Sequence, residues 1–270
     1  MSLLRPLWRG LRIAEHLTTG TVLVAAAALC RSLDLRAAWL GPLVPWWYRR
    51  FCRCLGMRVR GEGVLASSAL LVANHVSWLD IPVLGTQGEM GFLSKAEVRS
   101  WPLIGWMSEI VGTLFINRGA NQIGETIDHV CLRIRDHDPV VVFPEGTTSD
   151  GLRVYRFHPR LFAICQQAGA QVQPVALRYG TGPEPDPIAP FVGDDTLLRH
   201  LWRVLCHPGI EVQVSLLAPI PVGDQDRRQL ARVTRQAIVR RLGLESADPA
   251  EHPAIPNRVP ARARNGRAAV

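Results

Sequence analysis

Short apolar runs alternate with amphipathic segments beyond residue 60, and no other feature of the sequence constrains the fold as strongly. The runs are rich in valine, leucine and isoleucine, and each has the length of a buried β-strand. They cover residues 69–73, 91–94, 110–116, 140–143, 172–177 and 210–217. Apolar residues recur at helical spacing over 121–136 and over 224–242, where Gly243 is placed to end the second helix. This alternation predicts an α/β fold with a mostly parallel central sheet flanked by helices.

Residues 1–60 follow a different pattern, which predicts a helical segment associated with a membrane. Residues 17–30 are apolar and uncharged, and their number is at or below what a helix needs to cross a bilayer. Aromatic and basic residues then mix, at Trp39, Trp46, Trp47, Tyr48, Arg49, Arg50 and Arg53. This mixture is typical of a membrane interface, where indole rings lie among headgroups and guanidinium groups bind lipid phosphates. We favour interfacial or re-entrant helices over a full span, with a helical hairpin packed on the domain as the alternative.

The charged residues are distributed unevenly and indicate an anionic partner. The formal net charge is +8, and arginines concentrate in residues 1–60 and in an Arg/Pro-rich tail, 246–270, which is expected to be disordered. Because the arginines lie among apolar, tryptophan-rich segments and not in a nucleic-acid-binding motif, the predicted partner is an anionic membrane. The six cysteines form no metal-binding pattern and are expected to be reduced thiols. The α/β domain is expected to cover residues 61–245.

His75 and Asp80 follow the first strand of the predicted sheet and are the first candidates for chemistry. Five helical residues would turn the two side chains about 140° apart, so they cannot meet inside one helix. They can meet if His75 lies on the turn after the strand and Asp80 begins the next helix. Pro82 supports this placement, because proline is tolerated in the first turn of a helix. The same geometry fits an alternative in which Asp80 is only a helix N-cap, or forms a capping box with Ser77.

Charged residues also follow two other predicted strands. Arg118 comes after the run 110–116, and Glu145 and Gly146 come after the run 140–143. Parallel α/β sheets bind their ligands at the carboxyl ends of the strands. These residues, with His75 and Asp80, therefore predict one site at that edge of the sheet. Six further histidines have no carboxylate or cysteine at the spacing of metal ligands and are expected to be surface or core residues: His16, His129, His137, His158, His200 and His207.

Four segments in a fixed order carry a resemblance to a known family. NHVSWLD, GTLFINRG, FPEGTTSDG and VQPVAL, within roughly residues 60–220, resemble the glycerophospholipid acyltransferases of the bacterial 1-acylglycerol-3-phosphate type, a family that includes lyso-ornithine lipid acyltransferases. The resemblance implies transfer of a fatty acyl group from acyl-CoA or acyl carrier protein to the hydroxyl of a lysolipid, with no cofactor beyond that donor and no metal. It also implies attachment to the cytoplasmic face of the inner membrane through the N-terminal helices.

The resemblance further implies roles for individual residues. His75 is expected to be the general base, and Asp80 the carboxylate that orients it. The acceptor and its phosphate are expected to contact Lys95, the only lysine of the chain, together with Arg118, Glu145, Gly146 and Thr147.

The residue types suit general-base catalysis. An imidazole with a pKa near 6.5 is well matched to removing a proton from a hydroxyl group, and a carboxylate on its far nitrogen stabilises the imidazolium. No acyl-enzyme is expected, because the hydroxyl of the substrate itself attacks the thioester. Backbone N–H groups around Gly146 and Thr147 are predicted to stabilise the resulting oxyanion.

Thr148 departs from the family pattern, which often has arginine at this position. The acceptor pocket then has one cation fewer, and Arg153, Arg156 or Arg160 are candidates to compensate. The sequence favours 1-acylglycerol-3-phosphate as acceptor, giving phosphatidic acid, and leaves a zwitterionic lyso-ornithine lipid as the alternative. Two other functions stay open: a hydrolase that uses the same pair on water, and a non-enzymatic basic protein of the membrane surface.

Overall fold

The computed structural model describes residues 3–33, 40–95, 114–116, 122–182 and 184–244. The elements in chain order are α1 (Leu4–Ser32), α2 (Leu40–Leu55), β1 (Met57–Glu62), β2 (Ala69–Ala73), α3 (Asp80–Gly85), β3 (Gly91–Lys95), β4 (Leu114–Ile116), α4 (Gln122–Arg135), β5 (Val140–Val142), a 3-10 helix (Pro159–Phe162), α5 (Ala163–Ala168), β6 (Gln171–Tyr179), α6 (Leu197–Cys206), β7 (Ile210–Leu216) and α7 (Arg227–Leu242). The expected disordered tail, 246–270, lies outside the described residues.

The strands form one sheet in the order β1-β7-β6-β2-β5-β3-β4. The five strands from β6 to β4 run parallel, which confirms the predicted mostly parallel sheet. β7 runs antiparallel to β6, and β1 pairs in parallel with β7. β1 was not expected, and it begins at Met57, before the boundary predicted at residue 61. As an edge strand it is mostly exposed and polar, so it shows no apolar run in the sequence.

Two apolar layers enclose the sheet, and β2 contributes to both. Leu71 and Ala73 pack in the layer beneath α2, α3 and α6, whereas Leu70 and Val72 pack in the layer beneath α4, α5 and α7. All four side chains are fully buried. A strand buried on both faces needs a continuous apolar run, which is why β2 could be read from the sequence with its observed ends. The loops after β2, β5 and β6 are thereby held at one edge of a rigid sheet.

α1 is the one helix among the described residues with the length and composition needed to cross a membrane. It packs against α2 and against the C-terminal end of α6. Arg9 donates hydrogen bonds to the carbonyl oxygens of Leu205 and His207, at 3.1 and 2.7 Å. The helix is longer than the apolar stretch 17–30 suggested, because it begins at Leu4 and includes the arginines that contact α6.

Candidate active site

His75 and Asp80 meet in the loop that joins β2 to α3. The Nδ1 atom of His75 lies 2.7 Å from Oδ2 of Asp80. The Asp80 side chain is fully buried, whereas the His75 side chain keeps 22% of its surface exposed. Because the carboxylate accepts the proton on Nδ1, the lone pair of the neutral ring lies on Nε2, which none of the described residues hydrogen-bonds. Nε2 is therefore the atom able to remove a proton from a bound hydroxyl group.

The Asp80 carboxylate is held by three further donors. Oδ2 accepts the backbone N–H groups of Val76 and Ser77 at 2.8 and 3.1 Å. Oδ1 accepts the hydroxyl of Tyr179, the last residue of β6, at 2.6 Å. None of these donors belongs to α3, and the side chain of Leu79, at the N-cap position, makes no capping bond. The interpretation of Asp80 as only an N-cap is therefore wrong. The N–H of Ser77 donates to Oδ2 as in one half of a capping box, but the Ser77 hydroxyl has no partner among the described residues, and the carboxylate also binds His75 and Tyr179.

Phe143 and the loop after β5 fix the His75 ring and backbone. The ring of Phe143 stacks on the imidazole with centroids 4.2 Å apart and planes inclined by 20°. The backbone N–H of His75 donates to Oε1 of Glu145 at 2.7 Å, and its carbonyl accepts the N–H of Ser149 at 2.8 Å. Two of the four sequence segments thus interlock at the predicted edge of the sheet.

Glu145 has a bracing role: from a buried position it holds the backbone of His75 in place by a hydrogen bond. Its side chain is fully buried, and its second oxygen accepts the backbone N–H of Tyr155 at 2.7 Å. Burial raises the pKa of Glu145 to about 8, although the two N–H donors and nearby Arg235 act in the opposite direction. The structure assigns Glu145 a bracing role, where the sequence had predicted contact with the acceptor.

The other predicted acceptor residues differ in how the structure places them. Gly146 is exposed, with φ of 71°, and its N–H donates to the carbonyl of Phe143 at 3.2 Å. That N–H group is already used by the turn, so it does not fit the predicted role in binding an oxyanion. Thr147 follows it and is partly exposed. Lys95 ends β3, but its side chain, like all of Arg118, lies outside the described part of the chain.

The hydroxyl of Thr148 is engaged within the protein. Its hydroxyl donates to the carbonyl of Phe191, in the loop after β6, and the N–H of Phe191 donates to the carbonyl of Val76 at 3.0 Å. Thr148 therefore ties that loop to the site. Among the arginines proposed to compensate, Arg153 forms an ion pair with Asp150 at 3.4 Å.

The sequence did not single out Tyr179, Tyr155 or Phe143. Tyr179 touches Asp80 from 99 positions along the chain, so no local spacing signals the contact. One available clue was its place two residues after the predicted run 172–177, because a tyrosine hydroxyl needs a partner once it is buried. Phe143 directly follows β5 and was assigned to the strand itself.

The bracing role of Glu145 predicts that glutamine will not replace it. Two backbone N–H groups need one acceptor each, and a glutamine amide offers a single oxygen. We expect Glu145→Gln to lower the free energy of unfolding by about 1–3 kcal/mol, the cost of one buried unpaired donor. Denaturant unfolding of the purified protein measures this, with the exposed residue Glu184 providing the control Glu184→Gln.

The raised pKa of Glu145 also predicts a pH dependence of stability. The folded protein holds this proton more tightly than the unfolded chain, whose glutamate titrates near its usual 4.5. The stabilisation is therefore complete below pH 4.5 and is lost as the pH rises towards about 8. Glu145→Gln removes this titration, so its free energy of unfolding should fall less steeply over that range. Identical slopes for the two proteins would contradict the raised pKa.

Comparisons with known proteins agree with this geometry. The acyltransferase family matches residues 56–178, which include His75, Asp80 and Glu145. The lyso-ornithine lipid O-acyltransferase of Pseudomonas aeruginosa is 43% identical over 249 residues, covering 90% of this chain and 95% of that protein. A 1-acyl-sn-glycerol-3-phosphate acyltransferase of Neisseria gonorrhoeae is 32% identical over 183 residues, covering 67% of this chain and 72% of that protein.

A solved structure shares the fold. The 1-acyl-sn-glycerophosphate acyltransferase of Thermotoga maritima superposes with a TM-score of 0.67 at 22% identity, covering 89% of this chain and 94% of that one. The sequence segments, the sheet and the relatives lead to one conclusion: this chain belongs to the acyltransferase family, and it is an enzyme of the lysolipid O-acyltransferase type.

Proposed function

We propose that His75 is the general base with which this enzyme acylates the free hydroxyl of a lysolipid. The observation that carries the proposal is the hydrogen bond between His75 Nδ1 and Asp80 Oδ2, which leaves Nε2 as the basic atom. Asp80 is the orienting carboxylate, and its donors from Val76, Ser77 and Tyr179 hold it in one position.

The reaction follows from this geometry. Nε2 of His75 removes the hydroxyl proton as the acceptor oxygen attacks the thioester carbonyl of acyl-CoA or acyl carrier protein. A C–O bond forms, the C–S bond breaks, and the proton on Nε2 passes to the departing thiolate. The buried Asp80 carboxylate stabilises the imidazolium between these steps. No acyl-enzyme forms, because the substrate hydroxyl is the nucleophile.

The acceptor headgroup is proposed to lie along the carboxyl ends of β3 and β5. Lys95 ends β3, which lies beside β5, and Thr147 lies on the loop after β5. We assign Lys95, Arg118 and Gly146 to headgroup binding. Thr147 is the remaining candidate to donate an N–H to the oxyanion, since the N–H of Gly146 is taken.

Two acceptors fit the family, and one structural observation bears on the choice between them. The first is 1-acylglycerol-3-phosphate, which the sequence favours. The second is a lyso-ornithine lipid, and the position of Thr148 supports it: threonine replaces a cation, and its hydroxyl is engaged by Phe191. The relative with 43% identity over 90% of this chain also carries that activity in its name.

A direct assay distinguishes the acceptors. Purified protein is given one acyl donor and either acceptor, and both the acylated product and the free fatty acid are measured. We expect a higher kcat/KM with the lyso-ornithine lipid, and little fatty acid without acceptor. Thr148→Arg should reduce that preference, because it adds a cation and removes the bond to Phe191, whereas Thr181→Arg, at an exposed position after β6, should not. Fatty acid release without acylation would instead indicate a hydrolase, and no reaction at all would refute the proposal.

Membrane association is proposed through α1. Apolar side chains are exposed on one side of this helix, at Leu4, Leu7, Trp8, Leu11, Val22 and Leu29, and Glu15, which is ion-paired with Arg50, lies between the two groups. The opposite side carries the arginines that contact α6. It also carries His16, which is fully buried and faces α2. An amphipathic helix of this kind lies in a lipid interface. Six free cysteines suit a cytoplasmic location, as does a thioester donor.

A further inference from the structure

His200, on α6, is a fully buried histidine that the reaction outlined above does not use. Its Nδ1 lies 3.0 Å from Nε1 of Trp78, and its Nε2 lies 2.9 Å from the carbonyl oxygen of Ile188. An indole N–H can only donate, so Nδ1 must accept and Nε2 must carry the proton given to Ile188. The ring is therefore neutral and held as one tautomer, and burial lowers its pKa accordingly.

The two partners of His200 belong to two different loops of the site, and one of these is the loop that carries His75 and Asp80. Trp78 belongs to the turn between His75 and Asp80, directly after the residues whose N–H groups bind the Asp80 carboxylate. Ile188 belongs to the loop after β6. The same loop is attached to the turn a second time, because the N–H of Phe191 donates to the carbonyl of Val76 at 3.0 Å.

Aromatic contacts reinforce these bonds. The ring of Phe191 lies edge-on to the His200 ring, with centroids 5.4 Å apart, and Trp78 is edge-on at 6.1 Å. A residue needed only to fill the core would be satisfied by an apolar side chain. His200 instead supplies an acceptor in one direction and a donor in the other, which leucine or phenylalanine cannot do.

We propose that His200 is a positioning residue for acyl transfer, acting through Trp78 on the turn that orients Asp80. The inference rests on the proposed function, because it concerns the orientation of the His75–Asp80 pair. If Trp78 loses its partner, the turn carrying the N–H groups of Val76 and Ser77 loosens, and the carboxylate no longer holds the imidazole in one orientation. Misplacement of a catalytic group slows the chemical step more than it weakens substrate binding.

Kinetics of four variants test this role. His200→Leu and Trp78→Phe each remove the hydrogen bond, and each should lower kcat roughly ten- to hundredfold with little change in either KM. The double variant should be no slower than the slower single variant, because both changes break one interaction. His200→Gln keeps an acceptor and a donor on the side chain, so it should recover most of the lost kcat.

A second variant in α6 serves as a control for effects that come only from lost stability. Leu205→Ala removes a buried side chain of α6 that makes no bond to Trp78, and it should leave the kcat of the folded enzyme unchanged. A spectroscopic readout is independent of turnover: the downfield proton resonance of the His75 Nδ1–H should shift or broaden in His200→Leu and in Trp78→Phe, but not in Leu205→Ala.

The outcomes separate the two proposals. A His200→Leu enzyme with wild-type kcat, or with a loss that Leu205→Ala shares, would overturn the positioning role. Loss of activity in His75→Ala with no effect of His200→Leu would refute this role alone. Full activity in His75→Ala would refute the proposed function itself, whatever the behaviour of His200.

Discussion

Replacement of His75 with alanine is expected to lower kcat/KM by roughly 10²–10⁴-fold, because the acceptor hydroxyl then has no general base. The loss should appear mainly in kcat. The fold should survive, since the imidazole is partly exposed and Asp80 keeps its donors from Val76, Ser77 and Tyr179. Acyl transfer by the purified variant measures the first effect, and its circular dichroism and unfolding midpoint measure the second.

His129 provides a matched control for this experiment. It is an exposed histidine on α4, which covers the opposite face of the sheet from α2 and α3. His129→Ala should retain wild-type turnover. If His75→Ala also turned over substrate at a wild-type rate, another group would have to be the base, and the mechanism above would be wrong.

Replacement of Asp80 with asparagine is expected to have the second large effect. Two backbone N–H groups point at Oδ2, so the amide oxygen should take that position and the amide NH₂ should face the hydroxyl of Tyr179. The oxygen still accepts the proton of His75 Nδ1, and the tautomer is retained. The negative charge that stabilises the imidazolium is lost, however. We expect kcat/KM to fall roughly 10²–10⁴-fold, while the free energy of unfolding changes by only about 1–2 kcal/mol.

Tyr179→Phe tests whether Asp80 acts through its negative charge or through the hydrogen bond that Tyr179 donates to it. This variant removes the hydroxyl bound to Oδ1 but keeps both the carboxylate and its bond to His75. It should therefore cost stability, by about 1–3 kcal/mol for an unpaired buried acceptor, and reduce turnover far less than Asp80→Asn. Comparable activity losses in the two variants would mean that Asp80 acts through local structure and not through its charge.

The sequence predicted the central strands of the sheet but not the edge strand β1. Central strands such as β2 and β6 are buried on both faces, so their apolar runs were evident. The helix α7 ends at Gly243 as predicted, because glycine adopts the left-handed conformation observed there, with φ of 65°. The edge strand β1 was missed, and the reversed direction of β7 was not foreseen. Strand direction depends on which neighbour a strand pairs with, and its own residues do not specify that neighbour.

In the candidate site, contacts between residues close in sequence were predicted, and contacts between distant residues were missed. The spacing of His75, Asp80 and Pro82 showed that histidine and carboxylate can meet between a strand and a helix, and the family resemblance made this meeting the prediction. The interpretation of Asp80 as a cap alone failed because its carboxylate also binds His75 and Tyr179, and Tyr179 comes from another strand. Glu145 was assigned to the acceptor for a related reason: its distance from His75 in sequence concealed that it binds the backbone of that residue.

Local periodicity and the order of the motifs thus determined the α/β class, the ends of β2 and the histidine–aspartate pair. Only the tertiary structure decided what holds that pair in place: Tyr179 on Asp80, Glu145 beneath His75, and His200 on Trp78, across 99, 70 and 122 positions of the chain. The physical reason is that a hydrogen bond forms wherever folding brings a donor and an acceptor together. The residues of one segment do not reveal which distant segment will supply the partner.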